Sequence, residues 1–258
     1  MYRFGLIGHQ IAYSKSPKIH QQLAKYLNIN ISYDLLDIKK EALKEIPQLL
    51  RKQIYHGFNV TKPYKEVLIH YCDELTEKAK KIKAINTIYY KNQKIIGDNT
   101  DYDGFLGLLK QNHLEVKNQK IYILGTGGAA KAIYHVLNDL KAEVKFVSRK
   151  KDLKNKLIID YNELNSVDLK YVINATPIGT YPHIDQMVVS QSFIKDKTVI
   201  DLIYNPLQTK LMKSAKKGIN GLDMLIIQAI KSMSIWLDQK IDITETLYKQ
   251  LKDVVINE

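Results

Sequence analysis

The chain has 258 residues and a mass of 29.8 kDa, with 45% hydrophobic residues, 26% charged residues and a formal charge of +12. That length suits two domains of ordinary size, and no apolar run approaches the roughly 18 residues that a membrane span needs. The lysines are sprinkled over nearly every segment, with short runs only at "KAKKIK" (78–83) and "SRKKDLKNK" (148–156). They read as a solvated surface, whereas a nucleic-acid face would gather them in one place.

In chain order, strand-like runs at 2–7 (YRFGLI), 33–38 (YDLLDI) and 57–60 (GFNV) alternate with helical patterns at 17–27 and 41–52. Such alternation predicts β and α units laid on a sheet. The apolar run at 57–60 passes into "NVTKPYK", where amide, hydroxyl and ammonium groups crowd the point at which a strand should turn into a helix. A helical stretch at 75–83 follows. Two short strands, "INTIYY" and "KIIGDNTD", then lead to a helix "DGFLGLLKQ" with Asp103 near its N-cap.

From Lys120 the pattern sharpens into a strand, a glycine turn, an amphipathic helix and a second strand, "KIYILGTGGAAKAIYHVLNDLKAEVKFVSR". This is a βαβ unit. Further buried strands are predicted at 171–175 and 198–204, so residues 104–221 read as one parallel-sheet domain. The last segments, "DMLIIQAIKSMSIWL" and "ITETLYKQLKDVV", are amphipathic helices.

The glycine turn places Gly125, Gly127 and Gly128 between strand and helix, where backbone amides can approach a pyrophosphate at the positive end of a helix dipole. Its spacing is GxGG rather than GxGxxG, with Ala132 where close helix packing would be wanted. An NAD-binding unit usually carries an acidic residue about 20 positions on, at the end of the second strand. This chain has Ser148, Arg149, Lys150 and Lys151 there, and a hydroxyl with a guanidinium would welcome the extra phosphate of NADP.

Four polar clusters mark strand ends or turns in the first half: Ser14 and Ser16 before Pro17, "NVTKPYK", Asn86 with Thr87, and Asn99-Thr100-Asp101. With "GHQIAYSKSPKIH", "NVTKPYKE", "AINT", "GDNTDYDGF", "GTGGAAKA", "SRK", "NATPIG", "DLIYNP" and "GLDMLIIQA", the chain resembles the NADP-dependent shikimate dehydrogenases over essentially its whole length. These enzymes reduce 3-dehydroshikimate to shikimate in aromatic amino-acid (chorismate) biosynthesis. The resemblance implies that Ser14 and Ser16 bind the substrate carboxylate, that Thr61, Asn86, Asp101 and Gln228 hold ring hydroxyls with Tyr204 nearby, and that Lys65 is the acid/base. It assigns NADP to residues 125–129 (Gly125, Thr126, Gly127, Gly128, Ala129), to Ser148, Arg149 and Lys150, and to Leu202, Gly221, Met224 and Glu77.

The fold expected is two-domain α/β: a mixed substrate domain at 1–102, a Rossmann-like doubly wound NADP domain at 103–221, and C-terminal helices from 222 returning to the first domain. The substrate is then expected in a cleft between the domains. Three residues depart from the family pattern: Gln10 stands where proline is usual, Tyr13 where histidine is common, and Thr180 where methionine often follows the "NATPxG" glycine. Neither HExxH nor CxxC spacing occurs among the seven histidines and one cysteine, so no metal is expected. Cys72 cannot form an internal disulfide, and the N-terminal apolar stretch is too short for a signal peptide, which together suggest a reducing cytoplasm.

Reduction of a ring ketone needs a proton donor where negative charge develops, and Lys65 beside Asp101 would supply one. The competing readings are a relative that also takes quinate, a dinucleotide-binding sensor without turnover, and a basic nucleic-acid-binding module. The expected partner is a small molecule, with neither nucleic acid nor membrane, and the expected assembly is a monomer or a homodimer.

Overall fold

Strand β1 (Tyr2–Gly8) is buried from Phe4 onward on both faces, as suits the interior of a parallel sheet. The structure is a computed structural model that describes residues 1–149, 155–165 and 168–256. Contacts divide it into two units, Met1–Gly104 with Leu225–Glu258, and Phe105–Met224.

In the first unit, β1 pairs in parallel with β2 (Ile31–Asp37) and β3 (Gly57–Val60), and helix α1 (Ser16–Tyr26) makes the crossover from β1 to β2. Three more strands, β4 (Glu74–Leu75), β5 (Thr87–Lys91) and β6 (Lys94–Asp98), complete the order β2-β1-β3-β5-β6-β4. β5 runs antiparallel to β3 and to β6. The two-residue turn between β5 and β6 puts Asn92 and Gln93 at φ 51 and 61, a twist that suits a tight hairpin.

Two predicted helices change character. Over 41–52 the chain forms a 3₁₀ segment, Lys40–Glu45, and then α2 (Ile46–Arg51). Pro47 is the reason, because it has no N–H to bond back one turn and fits only where a helix starts. After "NVTKPYK" only a five-residue 3₁₀ helix forms, Val67–Tyr71, so Lys65 sits in the turn before it and not on a helix. The stretch 75–83 is the end of β4 followed by α3 (Glu77–Ile82), which Thr76 caps by accepting the Ala79 N–H at 3.2 Å. Helix α4 (Asp101–Gln111) begins two residues earlier than expected, which moves Asp103 from the cap into the first turn, where it pairs with Lys78 at 2.5 Å.

Among the described residues the second unit holds a six-stranded sheet in which every pairing is parallel. Its strands are β7 (Lys120–Leu124), β8 (Glu143–Val147), β9 (Ile158–Ile159), β10 (Leu169–Asn174), β11 (Thr198–Asp201) and β12 (Lys217–Asn220). Helix α5 (Gly128–Asp139) connects β7 to β8, and two short helices, α6 (Gln191–Ile194) and α7 (Lys210–Lys213), precede β11 and β12. The order β12-β11-β10-β7-β8-β9 reverses between β7 and β10, which in such sheets is where a ligand crevice opens at the strand ends. The strand expected over 198–204 stops at Asp201, whose Oδ1 accepts the Ile203 N–H at 3.1 Å and turns the chain.

Helix α8 (Leu222–Trp236) contributes to the first unit from Leu225 onward, and α9 (Glu245–Ile256) packs on α1. Trp236 stacks on Phe4 with ring centroids 4.6 Å apart. A Cβ on Gly57 of β3 would lie 2.3 Å from the Trp236 Nε1, so the sheet accepts the indole only because residue 57 has no side chain. Among the described residues no helix is long and apolar enough to cross a membrane.

Candidate active site

Where β3 ends, the chain is tied down at every step. Val60 N–H donates to the Asn86 carbonyl at 2.8 Å, Thr61 N–H to that of Ile7 at 2.9 Å, and Tyr64 N–H to that of Thr61 at 2.9 Å. The buried Tyr64 ring anchors the turn by donating to the Ile38 carbonyl at 2.7 Å. Ile85 N–H then bonds the Lys65 carbonyl at 2.8 Å, which holds the lysine backbone beside Asn86. From there the Lys65 Nζ reaches Oδ2 of Asp101 at 2.5 Å.

The two side chains are 17% and 7% exposed, so the pair is shielded from bulk water, with the lysine the more open of the two. Asp101 opens α4, where unpaired N–H groups and the helix dipole favour a carboxylate. Its other oxygen, Oδ1, accepts the Asn86 amide at 2.9 Å. Charge and hydrogen bond thus fix both ends of one carboxylate.

Asn86 can point only one way. Its Oδ1 accepts the Thr100 backbone N–H at 2.6 Å, and because a backbone N–H can only donate, the amide nitrogen must face Asp101 and the Gln228 Oε1, at 3.3 Å. Below it lies a buried polar layer. Asn59 donates to Ser232 Oγ at 2.8 Å, Ser232 Oγ lies 2.9 Å from Thr87 Oγ1 and 3.1 Å from Thr100 Oγ1, and Asn59 Oδ1 meets His20 Nε2 at 3.1 Å and the Tyr33 hydroxyl at 2.9 Å. Burial pushes the Tyr33 phenol well above its ordinary value and lowers His20 to about 3.

Sequence reasoning did not place Ser232 or His20 in this site, and it named Asn59 and Thr100 only as members of the polar clusters, with no role of their own. Two signals were available. Asn59 is a polar residue in a strand buried on both faces, and Ser232 follows Gln228 by one helical turn on an apolar helix.

Ser14 and Ser16 come together on the segment entering α1. Ser14 Oγ and Ser16 Oγ are 3.2 Å apart, and the Ser16 N–H donates to Ser14 Oγ at 3.3 Å. His9 N–H bonds the Lys62 carbonyl at 3.2 Å, which ties this segment to the Thr61 turn. A Cβ on Gly8 would lie 2.6 Å from both Ile11 Cγ2 and Thr61 Cγ2, so the close approach requires glycine. Gln10 has φ 56, a conformation closed to proline, and the exposed Tyr13 ring carries the Lys62 Nζ 5.4 Å from its centroid.

In the second unit, Gly125 has φ 103 and leads through Thr126 to Gly127, the N-cap of α5, with Gly128 and Ala129 in the first turn. Gly127 supplies no side-chain cap, and a Cβ there would meet nothing within 4 Å. The first amides of α5 are therefore open to an incoming anion, and the turn fits a dinucleotide pyrophosphate. The Gly125 N–H bonds the Val147 carbonyl at 2.9 Å, and Ser148 and the exposed Arg149 follow directly after β8. Lys150 lies outside the described residues.

Leu202 and Gly221 meet as closely as backbones can, since a Cβ on Gly221 would lie 2.1 Å from the Leu202 carbonyl oxygen. Met224 is buried three residues further on, and Tyr204 is half-buried two residues past Leu202. Glu77 belongs to the first unit, where its exposed carboxylate pairs with Lys80 at 2.6 Å. The Cys72 thiol is pushed up to about 12 by burial and lies 3.4 Å from the Leu68 carbonyl, which leaves it a poor nucleophile. Among the described residues no group of three or more His, Cys, Asp or Glu is placed to hold a metal ion.

Residues 6–88 match the family described as the shikimate dehydrogenase substrate binding domain. A curated relative, the shikimate dehydrogenase (NADP(+)) of Clostridium perfringens, is 38% identical over an alignment of 268 positions that covers 98% of this chain and 99% of the relative. Among solved structures, shikimate dehydrogenase 1 of Peptoclostridium difficile superposes with a TM-score of 0.90 at 38% identity, covering 99% of this chain and all of that one. Shikimate 5-dehydrogenase of Thermus thermophilus, solved in complex with NADP(H) and shikimate, gives a TM-score of 0.88 at 26% identity over all of this chain and 99% of that one.

Proposed function

The chain belongs to the shikimate dehydrogenase family, and we propose on that premise that Lys65 and Asp101 are the acid–base pair of the reversible NADPH-dependent reduction of 3-dehydroshikimate to shikimate. The observation that carries the proposal is the shielded ion pair whose second carboxylate oxygen is held by Asn86. NADPH, when bound, supplies the hydride. Lys65 donates a proton to the ketone oxygen as negative charge develops there, and takes it back in the oxidation direction. Asp101 keeps the ammonium aimed at that oxygen and accepts from a neighbouring ring hydroxyl.

The serine pair offers two hydroxyl donors for the substrate carboxylate, while Thr61, Asn86 and Gln228 hold ring hydroxyls, with Tyr204 as a further contact. The dinucleotide is held at Gly125, Thr126, Gly127, Gly128 and Ala129, with Ser148, Arg149 and Lys150 around its 2′-phosphate and Leu202, Gly221, Met224 and Glu77 as the remaining contacts. In domain terms, the substrate residues other than Tyr204 belong to 1–102 with the helices from 222, and the cofactor residues other than Glu77 and Met224 to 103–221. The enzyme is placed in the cytoplasm, in keeping with a single cysteine and no disulfide.

The test is to follow NADPH absorbance with 3-dehydroshikimate, then repeat it with NADH, and with quinate and NADP in reverse. Turnover with 3-dehydroshikimate and little with quinate is expected. No turnover despite NADPH binding would make the protein a sensor, and comparable rates with quinate would make it the broader enzyme.

A further inference from the structure

One carboxylate outside the chemistry above holds the segment that leads into the serine pair. Asp37 is the last residue of β2, in register with Gly8 at the end of β1. Its Oδ1 accepts the Gln10 N–H at 2.9 Å, its Oδ2 accepts the Ile11 N–H at 3.2 Å, and the His9 Nδ1 lies 3.2 Å from Oδ1. Three consecutive residues therefore converge on one side chain.

Gln10 lies between those contacts with φ 56, a left-handed conformation that a residue with a Cβ adopts only when something compensates. The two amide bonds compensate here, helped by the burial of Ile11, which is 1% exposed. The Ile11 carbonyl in turn accepts the Ser14 N–H at 2.9 Å, and Ser14 Oγ contacts both the hydroxyl and the N–H of Ser16. A continuous run of hydrogen bonds thus joins the Asp37 carboxylate to both serine hydroxyls. The Gln10 amide also holds the Asp37 carboxyl below the usual carboxylate range, as expected when the charged form is the one being bonded.

We propose that Asp37 is a positioning residue for substrate recognition, which fixes the 9–16 segment so that the Ser14 and Ser16 hydroxyls stand ready for the substrate carboxylate before it arrives. The proposal rests on the reading of that serine pair as the carboxylate site. Its physical basis is preorganisation: an ordered loop spends less of the binding energy on its own immobilisation, and this affects affinity rather than the chemical step.

The test uses the full chain with Asp37→Ala, Asp37→Asn and Ser16→Ala, measured by steady-state kinetics, thermal melting, and deuterium exchange of the 9–16 amides without substrate. Asp37→Ala is expected to raise KM for 3-dehydroshikimate roughly tenfold. It should leave kcat within about twofold and KM for NADPH unchanged, while exchange over 9–16 quickens. Asp37→Asn keeps one acceptor oxygen, so its effect should be intermediate, and it serves if the alanine variant does not fold. An unchanged KM in a folded Asp37 variant, or a loss confined to kcat, overturns the proposal. Ser16→Ala separates the two readings. If it raises KM while the Asp37 variants do not, only the positioning role falls; if it leaves KM unchanged, the carboxylate reading falls and the proposal with it.

Discussion

The Lys65 ammonium nitrogen lies 2.5 Å from Oδ2 of Asp101, a residue 36 positions away in the chain, while Oδ1 of the same carboxylate is occupied by Asn86. The lysine is thereby held by a group that is itself held. Lys65→Ala should lower kcat by roughly 10² to 10⁴ and leave shikimate binding nearly unchanged, because it removes the proton donor and spares the hydroxyl-binding groups. Steady-state rates and a calorimetric titration with shikimate check both halves. Adding Asp101→Asn to Lys65→Ala should cost far less than the product of the two single losses, since the pair acts as one unit. Independent, multiplying losses would mean that the proton comes from elsewhere.

Cofactor choice is predicted to rest on the turn after β8. Arg149→Ala should raise KM for NADPH about tenfold and leave KM for NADH nearly unchanged, because a planar guanidinium is lost from the 2′-phosphate and nothing is lost from a bare hydroxyl. Parallel titrations of the two dinucleotides measure it. An equal effect on both would remove Arg149 from phosphate recognition.

His20 is fully buried, stacked on Tyr33 with centroids 4.4 Å apart, and its Nδ1 has no hydrogen-bond partner. Burial lowers it to about 3 from an ordinary 6.5, opposed only in part by Asn59. A base whose folded value is depressed binds its proton more readily in the unfolded chain. The contribution of His20 to stability is therefore fully present above about pH 6.5 and is lost as the pH falls toward 3, at up to about 1.4 kcal/mol per pH unit. Urea midpoints between pH 4.5 and 7 should fall less steeply for His20→Phe, which keeps the stacked ring and leaves Asn59 Oδ1 bonded to Tyr33. Identical slopes would show that other groups set the acid limb.

Gly57→Ala should destabilise the fold by about 1–3 kcal/mol, because the new methyl would overlap the Trp236 indole, which is stacked on Phe4 and cannot swing away freely. Thermal or urea unfolding measures the loss. Combining it with Trp236→Phe should recover part of it, and no recovery would locate the strain elsewhere.

The sequence by itself determined what short-range chemistry can encode. The run from Lys120 showed strand, glycine turn, helix and strand because hydrophobic period and turn residues are local properties, and β7, α5 and β8 formed where those properties placed them. The motifs at Lys65 and Asp101 were legible too, although their roles came from a family likeness and not from spacing. Local reading failed where a single residue overruled a pattern, as Pro47 did in splitting a predicted helix and Asp201 in ending a strand early. Only the tertiary structure decided that Asn59 and Ser232, 173 residues apart, hydrogen-bond beneath Asn86, and that Asp37 reaches back to the loop before the serines. The reason is physical: a hydrogen bond between distant residues depends on strand order and register, and these are fixed only when the sheet assembles and α8 closes over it.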